Sequence, residues 1–320
     1  MSFPLRLALV PEKVSIDWPQ LTRVAAALSK QVDQDFKPIW KVLATVDAFS
    51  DLESVPTDYL PIIIVQHVQG AAGYHEDKNG QPFALVEYGD QWSLTASHEC
   101  LEMLADPFGR RMHGGHTPDQ AVSVGAKPGR VNYLVEACDP CEAADFAYKV
   151  NGVLVSDFYT RRFFDPVKAP GARYSFTGAI KAPREVLTDG YLSWHDPVTR
   201  DWYQLRMFAD NVSTRIPHVI NLSKETNFES LRDATNLRSA IDRVTPQYRD
   251  RKGAGVAEAR VARELSPGGA REESMKARAA GLREAIRSLP PRESPSSGGG
   301  GGGERSGAEG HAKGRSGRKK

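Results

Sequence analysis

The sequence predicts a mixed α/β fold, α+β in arrangement, with a body over residues 1–250 and a basic low-complexity tail over 251–320. Three observations carry this. Short β-branched and apolar runs, above all "LPIIIVQHV" at 60–68, alternate with segments of helical periodicity. Two Asn-Gly pairs, 79–80 and 151–152, mark tight turns between such runs. Beyond about residue 251 large apolar residues thin out, and Gly, Arg, Ala, Glu, Pro and Ser replace them.

The elements follow in order. "LRLALV" at 5–10 reads as a strand. Residues 18–40 read as a helix, because Leu21, Val24, Ala25, Leu28 and Val32 recur at helical spacing. Residues 41–49 and 60–68 are strands, the second buried on both faces. A turn holding Asn79 and Gly80 leads into a strand at about 81–88, which places His75 on an exposed turn. "TASHECLEMLADP" at 95–107 is a helix with Thr95 or Ser97 as N-cap, Pro107 past its end, and Leu101, Leu104 and Ala105 as its core stripe. Residues 109–130, rich in Gly and Pro, read as a loop. Residues 131–140 are a strand, 148–158 a hairpin, and 189–205 a second hairpin. In the tail, 256–289 has helical composition and 290–320 is expected to be disordered.

Charge divides the chain. From Arg251 onward there are 16 Lys and Arg against 8 Asp and Glu, whereas the first 250 residues hold 26 against 32. An acidic body assigns any nucleic-acid contact to the tail alone. Three cysteines are too few and too odd in number for a disulfide framework, and the Cys138–Cys141 pair has no second CxxC with which to build a four-thiolate zinc site. These two are expected as buried thiols. No stretch reaches the roughly 18 apolar residues that span a bilayer, and the N-terminus lacks a leader pattern. The expectation is a soluble cytoplasmic protein with no membrane partner.

The chemistry concentrates in the helix at 95–107. His98 and Glu102 are four apart and share a face, which gives a metal two ligands from one rigid element. Glu99 is rotated about 100° from His98, near enough to hold water without being a ligand. This is the HExxH arrangement with the second histidine replaced by glutamate. Asp106 continues the face of His98 as a further ligand, an orienting partner or a helix-end residue. Glu136 and Asp139 follow an apolar run and can complete a three-ligand site with an open position. His113 and His116 are expected to be solvated, Trp194, His195, Trp202 and Tyr203 to lie on a sheet face, and Asp157 to serve a turn. No dinucleotide fingerprint, phosphate loop or GxSxG elbow occurs.

Ser97, His98, Glu99, Glu102, Asp106 and Pro107, followed by Glu136, Asp139 and Cys141, form an SHExxE…DP…ExxDxC pattern. It resembles a pattern in uncharacterised bacterial proteins with a zincin-like, metallopeptidase-like core, and is similar to a segment of plant exordium-like proteins. The resemblance covers roughly residues 60–165. It implies a zincin-like mixed sheet with an active-site helix, and a metal-dependent hydrolase acting on a peptide or amide bond. His98, Glu102 and Glu136 would bind one divalent metal, Glu99 would act as general base, and Asp139 would orient a ligand or bind directly. Zinc is the first choice. One imidazole among carboxylates is a harder set than two, so Mn²⁺ and Ca²⁺ stay open. Two rivals stand beside this reading. One is a catalytically silent zincin-like domain that binds a protein or glycan; the other is a scaffold whose basic tail contacts nucleic acid.

Overall fold

The computed structural model describes residues 4–68, 71–208, 216–225, 237–238, 241, 245, 279–284 and 286–287. The chain begins with β1 (Leu5–Pro11), then α1 (Trp18–Lys30), a π-helical segment Gln31–Phe36 and α2 (Lys37–Trp40). The strand β2 (Ala44–Ala48) follows, then β3 (Tyr59–Val65), β4 (Gly73–Lys78), β5 (Gln81–Glu87) and the helix α3 (Trp92–Ala105). The five strands form one sheet in the order β2-β1-β3-β5-β4. The β1–β2, β1–β3 and β3–β5 pairs are parallel, and β4 lies antiparallel to β5 at the edge.

Alternation along these strands sorts two apolar faces. Leu7, Leu9, Ile62, Ile64, Ala84 and Val86 face α1 and α3 in the main core. Ala8, Val10, Ile63, Phe83 and Leu85 face the other way. That second face is covered in part by the helical residues 279–284, whose Ala279 and Leu282 are buried against it. Arg283 fastens this helix with a two-pronged contact to Glu12, 2.6 and 2.9 Å, and a further contact to Glu53. The described part of the tail's helical segment therefore packs on the body; residues 290–320, expected to be disordered, lie outside the described residues. Leu282→Ala in the full chain is expected to cost about 2–3 kcal/mol in urea denaturation. An unchanged midpoint would remove this helix from the core.

The second half is antiparallel. β6 (Met112–His116), α4 (Asp119–Ser123) and β7 (Arg130–Leu134) are followed by the hairpin β8 (Tyr148–Val150) and β9 (Val153–Val155), turned at Asn151-Gly152. Then come β10 (Tyr191–His195), β11 (Trp202–Arg206), β12 (His218–Asn221) and α5 (Leu222–Glu225). The second sheet runs β12-β11-β10-β7-β6. Among the described residues no helix is long and apolar enough to cross a membrane.

Four expectations need correction. The segment 109–130 is not a loop but holds β6 and α4. One of its glycines marks close packing: a Cβ at Gly115 would lie 2.8 Å from the Tyr133 ring across the sheet. The turn at Asn79-Gly80 joins two strands rather than opening one, and so His75 sits on β4, fully buried, not on an exposed turn. The helix α3 starts at Trp92, with buried Trp92 and Leu94 drawing in an extra turn, so neither Thr95 nor Ser97 is its N-cap. Ser97 instead donates to Gln31 at 2.7 Å and accepts from Ser156 N at 2.9 Å. Finally, α3 has no solvated face. Every residue from Leu94 to Ala105 is buried, because the sheet packs on one side of it and β9 and the chain after β7 pack on the other.

Candidate metal centre

Helix α3 delivers His98 and Glu102 one turn apart, facing the chain that leaves β7. That chain carries Glu136 and then a single 3₁₀ turn, Asp139–Cys141. The turn is locked in place. Cys138 N donates to Glu102 Oε1 at 3.0 Å, and β10 closes from behind through Gly190. A Cβ on Gly190 would lie 2.7 Å from Asp139 O and 2.8 Å from Pro140 O, so only glycine permits this approach.

The result is a buried knot of charge. His98 Nε2 lies 3.0 Å from Glu102 Oε2 and 3.2 Å from Asp139 Oδ1. Glu102, Glu136 and Asp139 each offer an oxygen within 4.8 Å of the others; His98 also groups with Asp139 and Glu142, and with Glu102 and Cys138. His98, Glu102 and Glu142 are fully buried, and Glu136 is the most exposed of the five at 4%.

Arg238 enters from about a hundred residues downstream. Its Nη2 is 2.9 Å from Glu102 Oε2, and its Nη1 is 3.0 Å from Asp139 Oδ2 and also contacts Glu136 Oε2. The three carboxyls respond differently. Burial pushes Glu102 up, but Arg238 and His98 outweigh it and hold the group well below the usual carboxylate range. Burial raises Glu136 well above that range; Arg238 offsets this in part, while the neighbouring carboxylates add to it. Asp139 is raised for the same reason. One guanidinium thus lowers one of the three carboxyls and only partly offsets the burial of the other two.

Glu99 borders this group on the side of β4. His75 Nδ1 is 3.6 Å from Glu99 Oε2, and His75 Nε2 lies 3.0 Å from Asp106 O. Glu99, Glu102 and His75 place ligand atoms within 4.8 Å of one another. A Cβ on Gly73 would lie 2.6 Å from Thr95 Cγ2 and 3.3 Å from Glu99 Oε1, so the edge strand presses on the helix where Glu99 sits. The Asp106 carboxylate is taken up by the turn after α3, accepting the backbone N–H groups of Arg111, Phe108 and Arg110. Of its three expected roles, the helix-end one matches this geometry.

Apart from Cys138, which borders the cluster, the other expected positions lie apart. His113 and His116 are exposed on β6, with His113 stacked on Phe164 at 4.1 Å. Cys138 and Cys141 are buried free thiols, both pushed well up by burial, Cys138 next by the Glu102 charge and Cys141 by that of Asp157. Trp194 is buried between Tyr133 and Tyr203. Asp157 ties Phe158 N, Thr177 N and Thr177 Oγ1.

Three contributors escaped the sequence reading: Arg238, Glu142 and Tyr159. Tyr159 N donates to Ala137 O at 2.7 Å, which lays it alongside Glu136. Among the described residues its buried hydroxyl has no hydrogen-bond partner. Its ionisation is opposed first by burial and then by the charges of Glu136, Glu102 and Asp139. Compared with family models, with curated proteins and with solved structures, the chain matches none.

Proposed function

We propose that this cluster is the metal centre of a zincin-like hydrolase that cleaves a peptide or amide bond. The observation that carries the reading is the convergence of His98 Nε2 on Glu102 Oε2 and Asp139 Oδ1, at 3.0 and 3.2 Å, from two separate elements. Atoms about 3 Å apart suit ligands that share one ion at 2.0–2.2 Å, roughly the zinc–nitrogen and zinc–oxygen lengths. Glu136 Oε1 is a further buried oxygen that accepts no hydrogen bond among the described residues. The donor set fits a divalent cation: one imidazole and two or three carboxylates, which suits zinc and also Mn²⁺ or Ca²⁺. Strand β5 running straight into α3, with the helix packed on its sheet, agrees with a zincin-like arrangement.

His98, Glu102 and Asp139 would hold the ion, with Glu136 beside them. The ion would supply a Lewis acid and make water acidic enough to attack near neutral pH. The remaining chemistry belongs to the chain. Glu99, one residue from His98 and outside the Arg238 contacts, takes the proton of the attacking water on its carboxylate and returns it to the leaving amine. His75 holds Glu99 in place. The Tyr159 hydroxyl, kept protonated by its surroundings, is the donor available to a developing oxyanion.

One observation favours a second reading. Every member of the cluster is buried and Arg238 already sits among the carboxylates. That favours a catalytically silent domain in which an ion-pair network pins α3 to the second sheet, and which binds a protein or glycan elsewhere. Elemental analysis of the full chain, beside His98→Ala, separates the two. About one equivalent of zinc or manganese, lost in the variant, is the expected result. A parent that takes up no divalent ion after dialysis against each would sink the hydrolase.

A further inference from the structure

Arg238 is the one cation among the described residues that reaches Glu102, Glu136 and Asp139. We propose that it is a built-in counter-cation: in the metal-free chain its guanidinium holds the oxygens a divalent ion would take, so metal binds by displacing it. This rests on the reading of the cluster as a metal centre and adds how that centre is regulated.

Geometry makes the two cations exclusive. Glu102 Oε2 is the atom 3.0 Å from His98 Nε2, and the same atom is 2.9 Å from Arg238 Nη2. Glu102 Oε1 accepts from Cys138 N, which holds the carboxylate with Oε2 toward His98 and Arg238. A metal on Oε2 would therefore stand a few ångström from a guanidinium in a site closed to water, where like charges repel far more strongly than in solvent. Arg238 cannot relieve this by losing a proton. It has to leave the oxygen.

The placement of Arg238 is specific. Its backbone N–H donates to Gly109 O at 3.0 Å, just beyond the end of α3. Ile241 packs with Leu134, Ile220 and Leu222, and Thr245 bonds Gln204, so the described residues that follow it are anchored to the second sheet. Charge gives the reason for a resident cation. Three buried carboxylates without one would each have to take a proton or unfold the site. A dication brings two charges to these three carboxylates where a guanidinium brings one. The exchange therefore runs toward metal once its concentration passes a threshold set by Arg238.

The test uses the full chain, stripped of metal, titrated with Zn²⁺ and then Mn²⁺ against a chelating indicator. The parent, Arg238→Met, Arg238→Lys and His98→Ala are compared, with folding checked by circular dichroism. Arg238→Met is expected to bind roughly tenfold tighter than the parent or better, in the range of ordinary site-to-site coupling. Tight binding by Arg238→Met with none by the parent would overturn the exchange, because Arg238 would then block the site rather than yield it to metal. Unchanged or weaker binding by a folded Arg238→Met, while the parent still binds through His98, would overturn the exchange and leave the metal centre standing. No binding by any folded chain would overturn the metal centre and this inference with it. Should Arg238→Met not fold, Arg238→Lys decides. Its point charge cannot fork across three carboxylates, so it should bind metal tighter than the parent, and equal affinity refutes the exchange.

Discussion

A Glu99→Gln chain is expected to keep its fold and its metal, and to lose hydrolysis by a factor of about 100 to 10,000, the usual contribution of a general base. The position of Glu99 separates these effects. It shares α3 with His98 and Glu102 but points about 100° away from His98, toward His75 and Gly73 on β4. It makes no contact with Arg238 among the ion pairs of the knot. An amide has the shape of the carboxylate, so the packing under Gly73 is undisturbed. What the amide cannot do is take a proton from water. The measurement is turnover of a fluorogenic peptide library by the metal-loaded parent and variant, with metal content determined on both. Undiminished turnover by the variant would remove Glu99 as the base. A loaded parent that cleaves nothing would leave the binding-domain reading in possession of the site.

The parts of this arrangement that could be read in advance share a cause, which is local periodicity. The β-branched run at 60–68 and the helical spacing from Leu21 to Val32 report burial directly, and the structure places β3 and α1 there. The four-residue step from His98 to Glu102 is a property of any helix, so their shared face follows from the helix alone. Glu136 and Asp139 were visible as carboxylates after an apolar run, but not their distance from His98. That distance is set by Gly190, just before β10, pressing on the Asp139 turn from some fifty residues later. His75 was misplaced because β4, "GYHEDK", is polar: an edge strand over a helix buries only alternate residues, and its other residues mimic a turn. In β6, the two glycines of "HGGH" read as flexibility when one of them, Gly115, is clearance for Tyr133. Arg238 carries no local signal at all. Its role comes from the chain returning to the end of α3, and it lies in a stretch where arginine is common.

That return has a measurable weight. In the metal-free chain Arg238→Met is expected to cost about 3–5 kcal/mol at neutral pH, the usual penalty for removing one partner of a buried ion pair. Methionine fills the space but leaves Glu102, Glu136 and Asp139 without their cation. The loss should depend on pH in a stated direction. In the parent, Glu102 is held below the ordinary carboxyl range. Its contribution is fully present above the unfolded value of about 4.3, and is lost as pH falls through the depressed folded value. Glu136 is held above the range, so it opposes the fold increasingly as pH rises from that unfolded value toward its raised folded one. Taking Arg238 away removes the largest influence that lowers Glu102 and the one that offsets the burial of Glu136 and Asp139. All three carboxyls then shift upward, and the variant should fall further behind the parent at each step from about pH 4.3 upward. Urea denaturation of both chains at pH 5 and pH 8 measures this. A gap that widens at pH 8, and that closes when zinc is added to the variant, is what a cluster with two alternative cations requires. Equal stability at both pH values would mean that the carboxylates are not held by Arg238, and the exchange of guanidinium for metal would lose its physical basis.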